Sequence, residues 1–294
     1  MIDPKIDRTV KKPELLAPAG TLECAITAYE CGADAVYAGL QRFNARAKGK
    51  NFTFEDMSKL SAYAKKHGKK FYVTMNTVIK ESEICDMARD LAELSVLDPD
   101  AVIVQDTGVA RLVREFMPNI PLHASTQMGI HNSAGIEQAR SMGVERVILE
   151  REVTLNELDL MLSKDPLEIE IFVHGALCSS LSGNCIWSSW IGGWSGNRGS
   201  CKQVCRRRFH GEDQEKAKKS GFFFSTNDMY ALDLMPKLVK MGVSSFKIEG
   251  RMKNPDYIKN VVTAYRMMLD ADPDNIGKTL GQAKQVLAES LGRK

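Results

Sequence analysis

The sequence predicts a (β/α)8 barrel, which is an α/β fold, on three observations. Eight short apolar runs with the character of strands alternate with longer amphipathic runs, as is typical of parallel strands that are covered on both faces. The turn after the first strand reads APAGTLE, whereas a doubly wound sheet that binds a dinucleotide has a G-x-G-x-x-G turn there. The length of 294 residues also lies within the range of a single barrel.

The predicted strands are short and apolar, and β-branched or aromatic residues are common in most of them. They cover residues 14–17, 35–38, 70–75, 101–104, 121–124, 147–149, 168–173 and 245–248. The predicted helices cover residues 21–31, 53–66, 82–97, 107–116, 133–142, 154–162, 231–241 and 255–269. Their apolar residues recur at helical spacing, and Gly32, Gly68, Pro118 and Gly143 mark four of their ends.

We expect one barrel domain over residues 14–272, with an N-terminal extension (1–13) and a C-terminal helical tail (273–294). An insertion over residues 174–228 breaks the alternation after the seventh strand. Loops of this length are usually functional or disordered, and the many Cys, Trp and Gly residues argue against disorder. Barrel active sites lie at the carboxyl ends of the strands. The chemistry is therefore expected in this insertion.

Composition excludes several classes of protein. The hydrophobic content of 44% is ample for a core, and no run approaches the roughly 20 apolar residues of a membrane span. The first residues lack the apolar run of a secretory signal, and seven cysteines are an odd number, so a reduced, cytoplasmic location is expected. A net charge of +3 does not by itself indicate nucleic-acid binding.

Four cysteines cluster in the insertion. Cys178, Cys185, Cys201 and Cys205 are separated by six, fifteen and three residues, and four thiolates can hold zinc or an iron–sulfur cluster. Only the last pair has the close spacing of a zinc ribbon, so the wide first spacing suits a cluster better. Two alternatives stay open: the cysteines are small buried hydrophobes, or one is a nucleophile near His174.

Aromatic and basic residues accompany these cysteines. The three tryptophans, Trp187, Trp190 and Trp194, lie between the cysteine pairs, where they would cover a metal site or stack on an unpaired base. The basic residues of the insertion are Arg198, Lys202, Arg206, Arg207 and Arg208. They form either a solvated basic surface or a site for RNA or another anion.

Polar residues at strand ends supply the remaining candidates. Alternation directs Lys247 and Glu249 to the same face, and Arg251 suits a carboxylate or a phosphate, although an ion pair between Glu249 and an arginine is an equal alternative. The candidate catalytic residues are Glu249, His174 and His123. The candidate substrate-binding residues are Arg251, Lys247, Arg46, Asn76, Gln127 and Arg198.

Several blocks of the sequence resemble the U32 family, often called the collagenase-like peptidases. The blocks EIFVHGALCSSLSGNC, GNRGSCKQVCR and FKIEGRMKNPDYI carry the resemblance, and ELLAPAG, GADAVYAGL, HASTQMGIHN and LEREVTLNEL extend it from Glu14 to about Leu269. The resemblance implies a barrel-type catalytic domain.

The resemblance leaves two activities open. Some members are named peptidases, but this sequence has neither a G-x-S-x-G elbow nor an H-E-x-x-H helix. Others hydroxylate a tRNA wobble uridine, a ribosomal RNA cytidine or the ubiquinone ring; in these, cysteines bind an iron–sulfur cluster, and the RNA-modifying members depend on prephenate. The HASTQM and NRGSC blocks are most similar to the tRNA branch.

The resemblance therefore implies a prephenate-dependent tRNA hydroxylase with a cysteine-bound 4Fe–4S cluster. The alternatives are a peptidase and an auxiliary paralogue with structural zinc. The expected partner is tRNA. Another protein or a second copy of this chain is a further expected partner, and no association with a membrane is expected. Tyr230 stands where members often have another cysteine, so either Cys205 takes the place of that cysteine or the cluster has a non-cysteine position.

Overall fold

Eight parallel strands form a closed barrel in the computed structural model, which describes residues 12–164, 166–212 and 218–290. In chain order the strands are β1 (Glu14–Pro18), β2 (Ala35–Gly39), β3 (Lys70–Met75), β4 (Ala101–Val104), β5 (Leu122–Ala124), β6 (Arg146–Ile148), β7 (Glu168–Ala176), β8 (Phe209–Glu212), β9 (Lys218–Gly221), β10 (Asp228–Tyr230) and β11 (Ser245–Ile248). The barrel consists of β1 to β7 and β11, and it closes because β11 pairs with both β7 and β1.

Helices follow the barrel strands, as the sequence predicts. They are α1 (Leu22–Glu30), α2 (Phe54–Lys66), α3 (Ile84–Leu97), α4 (Thr107–Phe116), α5 (Ser133–Ser141), α6 (Leu155–Leu162), α7 (Trp187–Gly192), α8 (Met235–Met241), α9 (Pro255–Leu269) and α10 (Ile276–Ala288). Thr53 and Thr154 begin α2 and α6 with reciprocal capping boxes. The predicted (β/α)8 fold is confirmed.

The element bounds differ from the predicted ones where a local pairing or turn intervenes. The seventh strand continues to Ala176 because β10 pairs with its end in antiparallel register. The third and the seventh predicted helices begin late, at Ile84 and Met235, because 3-10 turns precede them. The predicted C-terminal tail contains α10, while residues 1–11 of the predicted extension and residues 291–294 lie outside the described ranges. Within those ranges no helix is long and apolar enough to cross a membrane.

The interior of the barrel contains charged side chains as well as apolar ones. Arg146 lies 2.6 Å from a carboxylate oxygen of Glu14 and 3.2 Å from one of Glu170, and Lys247 lies 2.7 Å from the other oxygen of Glu170. These four side chains are at most one-tenth exposed. Buried charges persist when they are paired and hydrogen-bonded, so this network is a fixed support beneath the carboxyl end of the barrel.

The insertion is fastened to the barrel by two glycines with positive φ. A Cβ on Gly183 (φ +74°) would collide with the carbonyl oxygen of Gln127, and one on Gly199 (φ +75°) would collide with the carbonyl oxygen of Asn44. Only glycine combines this backbone conformation with so close an approach. The insertion is thereby held against the loops that follow β2 and β5.

Aromatic packing holds the far part of the insertion together. The ring of Trp187 stacks on Phe209 at 5.6 Å and meets the edge of Phe224 at 5.0 Å, and Phe209 and Phe224 are 5.1 Å apart. Trp187 is therefore a packing residue of the insertion. Trp190, in contrast, is 83% exposed.

Candidate functional site

A cavity of about 470 Å3 opens at the carboxyl ends of the barrel strands, between the strand ends and the insertion. This volume lies within the usual range of small-molecule sites. The predicted site residues that line it are Cys178, Cys185, Cys201, Cys205, Arg46, Asn76, Gln127, Lys247, Glu249 and Arg251. Lys247 and Glu249 share this cavity, as strand alternation predicts. The structure thus brings together ten residues that the sequence analysis named from separate segments.

The two candidate histidines do not line the cavity. His123 lies inside the barrel, with its ring 5.0 Å from that of Tyr72, and burial together with the nearby charge of Arg146 holds its pKa well below the ordinary value. The side chain of His174 is directed toward α9, where its Nδ1 atom lies 3.3 Å from the hydroxyl of Tyr265. Burial lowers the pKa of His174 to about 4. Both imidazoles are neutral at neutral pH, and neither reaches the cavity.

Arg198 also lies outside the lining of this cavity, and it anchors the insertion. Its guanidinium forms two hydrogen bonds with the carboxylate of Glu83, at 2.8 and 2.6 Å, and donates to the carbonyl of Val78 at 2.9 Å. This pairing holds the pKa of Glu83 at about 2. The predicted substrate contact of Arg198 is replaced by a contact within the protein.

Glu249 forms the ion pair that the sequence left open, and its partner is Arg46 at 2.8 Å. The hydroxyl of Tyr37 lies 3.3 Å from the other carboxylate oxygen. Burial alone would raise the pKa of Glu249, but the charges of Arg46, Arg151 and Arg251 outweigh burial and hold the pKa at about 2. Glu249 is therefore a fixed anion at neutral pH and a weak base, since an efficient general base has a pKa near the working pH.

The cavity also contains buried polar atoms that lack partners. Arg251 is 8% exposed and donates to Thr74 Oγ1 at 2.9 Å, and burial lowers its pKa to about 10, so it stays charged. Among the described residues, neither Nε of Arg251 nor Oε1 of Gln127 has a hydrogen-bond partner. Buried polar atoms are normally satisfied. These two atoms are therefore unsatisfied polar groups, shielded from solvent, in the wall of the cavity.

All four cavity cysteines are free thiols. Cys201 Sγ accepts the backbone N–H of Gln203 at 3.3 Å and lies 4.0 Å from Ser188 Oγ. Thiols are ligands that suit a soft metal centre, and hydrogen-bond donors are directed at one of these four. The described residues nevertheless include no group of three or more His, Cys, Asp or Glu side chains that could hold one metal ion.

The positions of Cys205 and Tyr230 indicate which of them could act together with Cys178, Cys185 and Cys201. Tyr230 lies on β10, is 44% exposed and does not line the cavity, whereas Cys205 does. Cys205 is thus the better placed of the two for any group that the other three cysteines bind.

Among the cavity residues that sequence reasoning missed, three carry a charge or a hydroxyl group that bears on the site: Arg151, Tyr37 and Lys48. Arg151 lies in the loop after β6, and its guanidinium lies 4.5 Å from the ring centre of Phe172. Tyr37 belongs to β2, where alternation with Ala35 would have placed it in the barrel interior. Lys48, in the loop after β2, carried no signal in the sequence, because only the fold brings it to the insertion.

Residues 20–293 match the sequence model of peptidase family U32. The chain belongs to this family. Among its curated relatives, "tRNA hydroxylation protein P1" of Bacillus subtilis is 37% identical over 276 residues, which cover 90% of this chain and 65% of that protein. "Uncharacterized protease MJ0090" of Methanocaldococcus jannaschii is 39% identical over 269 residues, covering 88% of this chain and 65% of that protein. This U32 chain therefore spans just under two thirds of the length of these relatives.

A solved structure in the U32 family supports the fold. The U32 peptidase Mk0906 superimposes with a TM-score of 0.54 over 84% of this chain and 97% of its own, at 10% sequence identity. At that identity the likeness concerns the fold alone.

Proposed function

We propose that this U32 chain hydroxylates the wobble uridine of tRNA, with prephenate as co-substrate and a 4Fe–4S cluster held by cysteines. The observation that carries the proposal is the common location of four free cysteines and several cationic side chains in one cavity at the active end of a barrel. The name of the Bacillus subtilis relative supports the choice of tRNA.

The cysteines are the residues that would hold the cluster: Cys178, Cys185, Cys201 and Cys205. A bound iron–sulfur cluster supplies one-electron chemistry. Hydrogen-bond donors to the ligand sulfurs are among the protein features that tune such centres. The N–H of Gln203 and the hydroxyl of Ser188 are suited to this role at Cys201.

The cationic part of the cavity suits an anionic co-substrate such as a dicarboxylate. Arg46, Arg151, Arg251 and Lys247 line it, and Glu249 is the acidic residue of its lining. Lys247 and Arg46 already have carboxylate partners. Arg251 lines the cavity and forms no ion pair with a carboxylate of the described residues, and arginine binds carboxylates with two parallel hydrogen bonds. We therefore assign the carboxylate of prephenate to Arg251, with Arg151 as the second cation.

A peptidase is the second candidate, favoured by the name of the Methanocaldococcus jannaschii relative. Its chemistry needs an activated nucleophile or water. In the described part of the chain no histidine lines the cavity, and the carboxyl of Glu249 has a pKa of about 2. The cavity cysteines and serines therefore lack an imidazole base, which favours the hydroxylase.

Anaerobically purified protein tests the two candidates side by side. We expect stoichiometric iron and sulfide, binding of tRNA and no cleavage of gelatin. Gelatin cleavage that survives metal removal and replacement of all four cavity cysteines would establish the peptidase. Stoichiometric zinc without iron would instead support the auxiliary paralogue.

A further inference from the structure

Two lysines from different segments meet over one tryptophan at the cavity. Lys48 lies in the loop between β2 and α2, while Trp194 and Lys202 belong to the insertion. The Nζ atoms of Lys48 and Lys202 lie 4.7 and 3.5 Å from the ring centre of Trp194. Both lysines line the cavity. The contact therefore joins the two segments on either side of its mouth.

Nothing within the described residues neutralises this pair. Neither Lys48 nor Lys202 has a carboxylate partner there, whereas Lys247 and Arg46 inside the cavity do. The ring of Trp194 attracts the two ammonium groups and holds like charges side by side. Two adjacent, unpaired ammonium groups suit an anion whose oxygens reach both of them, and lysine is a common phosphate ligand.

The place of the pair distinguishes a phosphate of the RNA chain from a small anion. The inner cavity has its own cations around Arg251 and Arg151 for a small ligand. A base that enters the cavity leaves its sugar–phosphate link at the mouth, next to the Lys48–Lys202 pair. Trp194 is 45% exposed and Trp190 is 83% exposed, and exposed aromatic rings beside basic residues favour stacking with unpaired bases.

We infer that Lys48 and Lys202, held over Trp194, bind the backbone phosphate beside the nucleotide whose base enters the cavity. The inference rests on the proposed function, because it requires an RNA substrate. It adds a phosphate site built from two segments of the chain, in which Lys48 was not a candidate from the sequence.

The test compares two variants that remove the same charge at different places on the barrel. One is K48Q/K202Q; the control is K66Q/K240Q, in the last turns of α2 and α8, where both lysines are exposed. Binding of an unmodified tRNA transcript is measured against salt concentration. We expect K48Q/K202Q to reduce the log–log salt slope by about 0.7 for each phosphate that the variant no longer neutralises, while the control keeps the wild-type slope. K48R/K202R should restore the slope, because it restores the charge.

Each other outcome overturns the inference in a distinguishable way. An unchanged slope in K48Q/K202Q, with tRNA still bound and hydroxylated, would refute the phosphate site and leave the proposed function standing. Weaker binding of inorganic phosphate or prephenate with unchanged tRNA binding would assign the pair to a small anion. A wild-type protein that binds no tRNA would contradict both the inference and the proposed function.

Discussion

The guanidinium of Arg46 lies 2.8 Å from the carboxylate of Glu249, and this ion pair joins the loop after β2 to the end of β11. The hydroxyl of Tyr37 contacts the same carboxylate. The side chain of Glu249 is 12% exposed and that of Arg46 is 35% exposed, so the carboxylate is the shielded partner of the pair. Because two more arginines, Arg151 and Arg251, lie near the carboxylate, Glu249 offsets part of the positive charge of the cavity.

Replacement of Glu249 by Gln should therefore destabilise the protein. Removing Glu249 leaves the charges of the surrounding arginines uncompensated, and because Arg46 is partly exposed to solvent we expect the free energy of unfolding to fall by about 2 kcal/mol at neutral pH. The pKa of Glu249 is lowered from 4.5 to about 2 in the folded protein, so its contribution is complete above the unfolded pKa and disappears as the pH falls toward 2.

Urea unfolding at neutral pH and near pH 3 measures this effect. The difference between wild type and E249Q should be smaller at the acidic pH. E23Q, at an exposed position in the first turn of α1, is the control and should change little. A pH-independent difference for E249Q would show that its carboxylate is not held ionised by the arginines.

A glycine pair tests the docking of the insertion. Both Gly199 (φ +75°) and Gly193 (φ +70°) have left-handed backbone conformations, but a Cβ would collide with Asn44 only at Gly199 and would meet nothing within 4 Å at Gly193. G193A should cost about 1 kcal/mol from backbone strain alone. G199A should cost more, and it should raise hydrogen exchange in residues 177–206. Equal effects of the two variants would argue against close packing at Gly199.

Single cysteine replacements test the ligand assignment. C178S, C185S, C201S and C205S should each lower the iron content of anaerobically purified protein, because thiolates are the proposed iron ligands. C85S, at an exposed cysteine on α3, should retain full iron. Full iron and full activity in C178S and C201S would refute the assignment.

The three arginines at positions 206–208 should have two different roles, one in stability and one in tRNA binding. Arg206 donates to the carbonyls of Leu177 and Thr226 and to the hydroxyl of Ser225, so R206A should destabilise the insertion. Arg207 and Arg208 are exposed, so R207A/R208A should weaken tRNA binding and reduce its salt slope without loss of iron. If R206A leaves thermal stability unchanged, its hydrogen bonds contribute little.

The barrel was predictable because the residues within each short segment specify the strand or helix that the segment forms. Each strand and helix has its own spacing of apolar residues and its own stop signal. When the strands close into a barrel, their carboxyl ends lie at one face, so the polar residues at these ends lie close together. For this reason Glu249, Arg251 and Asn76 were found from the sequence, although they lie far apart along the chain.

The partners within the site were not predictable, because they depend on how long loops fold back. Arg198 has the same basic character as Lys202 in the sequence, but it pairs with Glu83 whereas Lys202 faces Trp194. His174 lies in β7 two residues after Phe172, which lines the cavity, but the register of β7 with β11 shifts between these two residues and the His174 ring packs against Tyr265. Local sequence does not encode these choices.

Mass spectrometry of the nucleosides of cellular tRNA tests whether this protein hydroxylates the wobble uridine. A strain that lacks this gene is complemented with the wild type, with C201S or with C85S, and its tRNA is digested and examined by mass spectrometry. We predict that wild type and C85S restore a wobble uridine heavier by one oxygen atom, and that C201S does not. Unchanged hydroxylation in the deletion strain would contradict the proposed activity, and full restoration by C201S would contradict the proposed role of Cys201.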